Sequence, residues 1–432
     1  MWIADLHIHS RFARATSRQC EPVMLDWWAR RKGIDVLGTG DCTHAGWRAM
    51  LADALVPDGS GFYRLREDLR QPGAPEGATR FVVSGEISSI YKKRGRVRKV
   101  HNVVLFPSLA DAEKFSARLE GMGANLRADG RPILGLDSRD LLEIALESCP
   151  EAEWIPAHIW TPHFSLFGAY SGFDAIEECF EDMTPHIHAL ETGLSSDPPM
   201  NWRLSALDRY TLVSHSDAHS PANLGREANL LDCPLTYADL TAALRDRAGS
   251  AFAGTLEFFP EEGKYHWDGH RACAVRMTPA QRAAADGLCP VCGKRVTVGV
   301  LSRVEALADR PEGVRPEGAR PYERLAPLAE VIAASVGLGA SSVKVQRQYD
   351  AILRALGPEL EILRRASVAD VQRVAGPCVA EGIRRLREGK VELEAGFDGE
   401  YGHVRLLQPE EIRLMGGQMS LLGALPVSPT PR

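Results

Sequence analysis

Trp2-Ile3-Ala4-Asp5-Leu6-His7-Ile8-His9 is the stretch on which the reading of this chain turns. Its first three residues read as a short apolar strand. The two histidines after it stand two apart, so both imidazoles point the same way and reach one ion. The same grammar recurs at Asp35-Val-Leu-Gly-Thr-Gly-Asp41-Cys-Thr-His44, Phe81-Val-Val-Ser-Gly-Glu86, Lys99-Val-His101, Trp154-Ile-Pro-Ala-His158 and Leu212-Val-Ser-His215-Ser-Asp217-Ala-His219. Each apolar run exits into His, Asp or Glu, and a helix-like stretch follows. Parallel strands whose C-terminal ends converge on one site predict a barrel of alternating strands and helices.

Seven of the 13 histidines fall on such exits. The strand ends supply His7, His9, Asp41, His44, Glu86, His101, His158, Asp217 and His219 as candidate metal ligands. That set is too large for one ion. Two to three divalent ions (Zn, Mn or Mg) bridged by carboxylates fit it, and such a site suits phosphoester hydrolysis. His163 and His215 are possible donors around it, with a core role the default for both.

Asp-Leu-His-Ile-His-Ser, the Gly-Glu after a strand, the isolated strand-end histidines and Ser-Asp-Ala-His resemble the polymerase and histidinol phosphatase (PHP) superfamily over about residues 1–260. The resemblance implies an α/β fold, a PHP-type distorted (β/α)7 barrel with a trinuclear metal site. The chain departs from the pattern after His9, where Ser-Arg-Phe-Ala-Arg carries no third histidine. One of the three metal positions is therefore expected to be weak.

The chain has 432 residues, enough for two or three domains, and an ordinary charged fraction of 25%. Its nine cysteines form no regular framework and point to a reducing, cytoplasmic setting. No apolar run is long enough for a membrane span, so no membrane partner is expected. Net charge is −6. Against it stands Lys92-Lys93-Arg94-Gly95-Arg96-Val97-Arg98-Lys99, six basic residues in eight, between two ligand candidates. At a hairpin tip beside a phosphoester site, all six would grip a polyanionic backbone.

Helices are expected over Glu21–Lys32, Ala110–Gly121 and Ser138–Ser148, with Gly33 ending the first. Trp160 to Asp182 is irregular and aromatic, a loop placed to overhang the site as a lid or to stack a base. Past residue 264 the pattern changes. His270-x2-Cys273, fifteen residues, then Cys289-x2-Cys292 is the spacing of a closed tetrahedral structural zinc, with His266 competing for the fourth position. A Pro/Gly-rich linker follows from Ala306 to Tyr322. Helices are then expected over Leu325–Ser335, Ser342–Leu356 and Val368–Gly389. The resulting division is a barrel at 1–263, a zinc module at 264–305, a helical DNA-contacting domain at 306–407 and a flexible tail at 408–432.

Gly-Asp-Cys-Thr-His, Trp160-Thr-Pro-His163-Phe-Ser, the zinc element, Gly389-Lys-Val and Gly396-Phe-Asp-Gly-Glu-Tyr-Gly402 together resemble the endonuclease Q branch of the PHP superfamily, to about residue 407. That resemblance implies metal-dependent DNA repair. The strand would be nicked 5′ to uracil, hypoxanthine, xanthine or an abasic site, in the cytoplasm and near the nucleoid. Asp217, His219 and His9 would be the residues central to catalysis. Two rivals share the barrel: a histidinol-phosphatase-like small-molecule phosphoesterase, and a polymerase-associated PHP module. The first needs no zinc module. The second needs polymerase motifs that do not occur here. Gln418-Met-Ser-Leu-Leu422, near the C-terminus, resembles the peptides that bind sliding clamps, which would tether the enzyme on DNA.

Overall fold

A computed structural model describes the backbone of residues 1–422 and the side chains of residues 1–416. These residues form two compact units, Met1–Glu323 with Glu394–His403, and Arg324–Leu393 with the segment from Val404 onward. The zinc module therefore shares a unit with the barrel, and the boundary lies past the expected linker rather than before it. No helix among the described residues is long and apolar enough to cross a membrane.

In the first unit, the strands that carry the site are β1 (Trp2–Asp5), β2 (Val36–Gly38), β3 (Arg80–Lys93), β4 (Arg96–Phe106), β5 (Glu153–Pro156), β6 (Ala189–Glu191), β7 (Thr211–Val213), β8 (Ala228–Leu231) and β9 (Phe252–Glu257). β1, β2 and β3 are parallel neighbours, as the strand grammar predicts. β4 departs from that expectation: it runs antiparallel to both β3 and β5. The reason is local. Arg94 and Gly95 take φ of 52° and 76°, the left-handed pair that a two-residue hairpin turn demands. The basic segment is thus a hairpin tip, and the chain returns without a crossover helix. β6 and β7 pair in parallel, and β8 pairs antiparallel with β1 and β9. The result is a distorted barrel of mixed strand direction.

Alternation along the long hairpin places the site. Val82, Val103 and Leu105 pack in one buried cluster with Ala4, Leu6, Val36 and Val213. Val83, Ile87, Val100 and Val104 pack in another, with Phe115, Leu141 and Trp154 of the surrounding elements. Side chains two apart share a face. Glu86 therefore lies on the face of Val82, and His101 on the face of Val103 and Leu105. Both stand on the inner stripe, above the apolar filling.

Helices α1 (Pro22–Lys32), α2 (Ala45–Ala54), α3 (Leu109–Gly121) and α4 (Ser138–Ser148) match the expected segments where these were given. Gly33 ends α1 at φ 86°, its N–H bonded to the Ala29 carbonyl. The zinc module is a hairpin, Asp268–His270 with Val275–Met277, over a core of only Met277, Cys289 and Val296. Buried Asp268 accepts hydrogen bonds from Gly299 N–H and the Ser302 hydroxyl, and so holds the start of α5 (Val300–Leu307).

The second unit is helical. Its helices are α6 (Leu328–Val336), α7 (Val343–Leu356), α8 (Glu359–Arg364), α9 (Val368–Ala375), α10 (Pro377–Arg387) and α11 (Pro409–Leu422). The single helix expected over 368–389 is two helices. Gly376 takes φ 86° and Pro377 lacks an N–H, so the helix stops and restarts there. A Cβ on Gly382 would stand 2.1 Å from Ser335 Oγ, so glycine lets α10 cross α6 closely. The segment expected to be a tail from residue 408 begins with a helix. The side chains of Gln418–Leu422, which carry the clamp-like motif, lie outside the described residues.

Candidate metal centre

The stretch after β1 is held in place from beneath. Asp5 accepts hydrogen bonds from the N–H groups of Ser216 (3.0 Å) and Gly225 (2.9 Å), and His9 N–H donates to the Ala218 carbonyl at 3.0 Å. His7, His9 and Asp217 are thereby brought together although 208 positions separate His9 from Asp217 in the numbering. His9 Nε2 lies 3.1 Å from Glu86 Oε2 and 3.1 Å from Asp217 Oδ1. His7 Nε2 lies 3.5 Å from the same Glu86 oxygen and 3.7 Å from the same Asp217 oxygen. His7 Nε2, His9 Nε2 and Asp217 Oδ1 are buried and have no hydrogen-bond partner. Such atoms are costly to bury unpaired. Two imidazoles and two carboxylates converging on one point are the donor set of a divalent cation.

A second group shares Glu86. Its Oε1 lies 2.5 Å from His101 Nδ1 and 3.1 Å from His158 Nε2, and the two ring nitrogens are 3.3 Å apart. Glu86 thus offers one oxygen to each group, as a bridging carboxylate does. Thr161 Oγ1 stands 3.1 Å from His158 Nδ1 and orients that ring.

Carboxylates also stand behind the histidines of the first group. Both oxygens of Glu191 lie within 3.1 Å of His7 Nδ1. Asp41 Oδ1 lies 3.1 Å from His9 Nδ1, while its Oδ2 takes the Ser10 N–H and hydroxyl. Each carboxylate fixes a ring so that Nε2 faces the ion position. Asp41 is therefore placed as a buttress, not as a ligand. Glu191→Gln is expected to lower affinity for one divalent ion by about 10- to 100-fold while the fold is kept. Titration with Mn²⁺ under calorimetry checks this, and an unchanged affinity would reject the buttress role.

The electrostatics are those of a charge cage. Burial opposes protonation of His7, but Glu191 and Glu86 outweigh it and hold its pKa well above the usual imidazole value. Burial would likewise raise Glu191, yet His7 and His215 draw it down to about 2. Burial dominates at His101 and pushes it down to about 4. Asp41, His158 and Asp217 all take left-handed φ, of 48°, 29° and 46°. Non-glycine residues adopt that region at a cost, and such strain gathers at functional sites.

Besides Asp41, two expected ligands fall outside these groups. His44 Nδ1 accepts from Trp47 N–H at the start of α2, and its ring packs on Phe12 at 4.4 Å. His219 Nδ1 lies 2.9 Å from the Asp217 carbonyl, and its ring stands 4.4 Å from that of His9. Among the described residues neither joins a ligand group. In their place the structure gathers His7, Glu191 and His215. Glu191 was missed because β6 is three residues long, too short for a visible apolar run. His215 is fully buried, and its Nδ1 lies 3.7 Å from Glu191 Oε1.

The aromatic loop is mostly core. Trp160, Phe167 and Phe173 are buried, and α5 pins the loop through Arg303, which donates to the Phe167 and Phe173 carbonyls. Of the loop's ring side chains, His163 and Tyr170 are the exposed ones, stacked at 4.7 Å. The basic hairpin is also partly spent. Arg98 is turned inward, donating to the Gly172 carbonyl and packing on Phe173. Lys93 is bound to Asp137 and Glu181, and Arg94 to Glu178. Lys99 lies over Phe164, which leaves Lys92 and Arg96 exposed.

His270, Cys273, Cys289 and Cys292 bring their ligand atoms within 4.8 Å of one another. His270 rather than His266 thus completes the set. Desolvation pushes the Cys289 thiol up, but the backbone N–H groups of Cys292 and Val291 outweigh it and draw it to about 7. That favours the thiolate a zinc ion needs.

The fold and this pair of ligand groups define a PHP-type metal-dependent phosphoesterase. A family model described as the MJ0043 C-terminal domain matches residues 327–390. The uncharacterised Bacillus subtilis protein YqxK is 30% identical over 418 residues, covering 93% of this chain and 98% of that protein. The uncharacterised Methanocaldococcus jannaschii protein MJ0043 is 31% identical over 270 residues, which is 61% of this chain and 33% of that longer protein. The crystal structure of the lesion-specific endonuclease PfuEndoQ from Pyrococcus furiosus superposes with a TM-score of 0.82 at 29% identity, covering 99% of this chain and 100% of that one. Endonuclease Q bound to a 27-mer duplex with an abasic lesion at the active site gives 0.81 at 29% identity, covering 95% and 97%. The chain belongs to the endonuclease Q family.

Proposed function

We propose that this chain is a metal-dependent DNA repair endonuclease that nicks the strand 5′ to deaminated bases (uracil, hypoxanthine, xanthine) and to abasic sites. The observation that carries the reading is the buried convergence of His7, His9, Asp217 and Glu86, with Glu86 shared by His101 and His158. Likeness over nearly the whole chain to a lesion-specific endonuclease, and to one bound to duplex DNA, supports DNA as the substrate.

The donor set fits two ions in the barrel, zinc, manganese or magnesium, besides one structural zinc. When bound, such ions activate water and stabilise charge on phosphoryl oxygens. The residues of the chain do the rest. Asp41 and Glu191 orient the histidines, and Asp217 and His9 hold the reacting centre. Hydrolysis adds one water across the P–O3′ bond and leaves a 3′-hydroxyl and a 5′-phosphate.

Labelled duplexes carrying one defined lesion each, with product ends mapped and a phosphate monoester as control, test the reading. Turnover of the monoester alone would transfer the assignment to small-molecule phosphoesters. Of the hairpin cations, Lys92 and Arg96 are exposed, which supports them as the pair that meets DNA. Replacing both by alanine is expected to weaken binding to all duplexes alike and to reduce the salt slope by about 2. Loss confined to one lesion type would mean the tip reads bases. In the second unit, Arg384 and Arg385 are paired with Glu381, Glu388 and Glu411, and Arg387 caps α8 carbonyls, so these three cations are structural.

The clamp reading of Gln418–Leu422 rests on sequence alone. Deleting residues 418–432 is expected to leave nicking of a short oligonucleotide unchanged and to remove clamp binding. Equal clamp binding by full-length and truncated chains would discard it.

A further inference from the structure

One cation enters the metal centre from a loop that carries no ligand. Arg131 Nη1 donates to Glu86 Oε2 at 3.0 Å, onto the same oxygen that faces His9 Nε2 and His7 Nε2. The loop that delivers it is tightly built. Gly130 N–H donates to the Phe12 carbonyl at 2.9 Å, and Ser88 N–H donates to the Pro132 carbonyl at 3.0 Å. Asp129 Oδ1 accepts from the N–H groups of Arg14 and Arg131. A Cβ at Gly130 would stand 2.3 Å from Asp41 Oδ2, so only glycine lets the loop pass this close to the His9 buttress.

The bland reading makes Arg131 a counter-ion for buried carboxylates. Its geometry does not suit that role alone. The side chain is 25% exposed, and among the described residues Glu86 is its one hydrogen-bond partner. A guanidinium has five N–H donors in a planar fork. One end of this fork touches the carboxylate that both ligand groups share, and the partial exposure leaves its other donors open to a further group. A fork held there matches two oxygens of a phosphate, by charge-assisted bonds that strengthen as negative charge grows on them.

We propose that Arg131 is a catalytic residue that binds a non-bridging oxygen of the scissile phosphate, beside the ions that Glu86 would help to hold. The proposal rests on the phosphoester reading of the site. It makes the loop 129–132 part of the substrate-binding surface, a role that strand-end grammar could not reveal.

The test uses the full chain loaded with manganese, as wild type, Arg131→Ala and Arg131→Lys. Elemental analysis first establishes metal content. Calorimetric titration with inorganic phosphate then reads the site without turnover. We expect Arg131→Ala to keep its metal and to lose affinity for phosphate by about 10-fold or more, with Arg131→Lys between the two. Nicking of the abasic duplex should fall by about 10²-fold in kcat, as for loss of one charged donor in a transition state. DNA affinity, measured with calcium in place of manganese, should change by less than about 3-fold, because many other contacts carry it. Phosphate affinity within about 2-fold of wild type in Arg131→Ala would overturn the proposal, as would metal loss that accounts for the whole effect. If the wild type nicks no DNA, the endonuclease reading falls, and the phosphate comparison still decides the role of Arg131.

Discussion

Glu86→Gln is expected to slow nicking by about 10³-fold or more and to strip divalent ions from the barrel while the structural zinc stays. The substitution keeps size and shape. It removes one negative charge that both ligand groups share, His7, His9 and Asp217 on one side and His101 and His158 on the other. It also turns an acceptor into a partial donor. An amide nitrogen at either position would face His101 Nδ1 at 2.5 Å, or Arg131 Nη1 at 3.0 Å and His9 Nε2 at 3.1 Å. Glu86 serves both groups, so its loss should exceed that of a residue serving one. Asp217→Asn and His9→Ala should also abolish nicking, but each should spare the His101–His158 side. Metal counts per chain, set beside single-turnover nicking, check the ranking. If Glu86→Gln retains its metal and nicks within about 10-fold of wild type, the bridging role is wrong.

The second large effect is on stability. Cys289→Ser is expected to release one zinc per chain and to lower the thermal midpoint by about 10 °C. The module's core is three buried residues, one of them Cys289 itself, too few to hold a hairpin without the metal. Serine does not ionise, so it cannot replace a thiolate. The damage should travel. Asp268 in the hairpin holds the start of α5, and Arg303 on α5 pins the loop that begins at His158. Nicking should therefore fall although no barrel ligand has changed. Unchanged zinc content with an unchanged midpoint would remove the cluster from the list of structural elements. Protease sensitivity confined to residues 264–305 would show that the coupling to the loop is absent.

Much of the site was legible in the residues themselves. His7, His9, Glu86, His101, His158 and Asp217 are gathered as expected, and His7, His9, His158 and Asp217 do follow strand ends; Glu86 and His101 instead lie mid-strand in β3 and β4 and reach the site by alternation along the hairpin. The Cys-x2-Cys spacing is equally local, and the four zinc-type ligands meet. Beyond this the signal weakens. Asp41 and His44 follow the same grammar yet serve a neighbouring ring and a helix start, since a polar residue at an exit can turn inward or along the chain. Lys93 and Arg98 read as a free basic patch, but carboxylates and carbonyls of distant segments claim them.

By itself the sequence determined six of the apolar strand runs and the ligand chemistry that accompanies them, because burial periodicity and ligand spacing are short-range properties. Only the tertiary structure decided that β4 runs antiparallel, that Glu191 backs His7 across 184 positions, and that Arg131 enters the site. These depend on which backbone passes which at a few ångströms, and periodicity along one chain does not record closeness between distant parts of it.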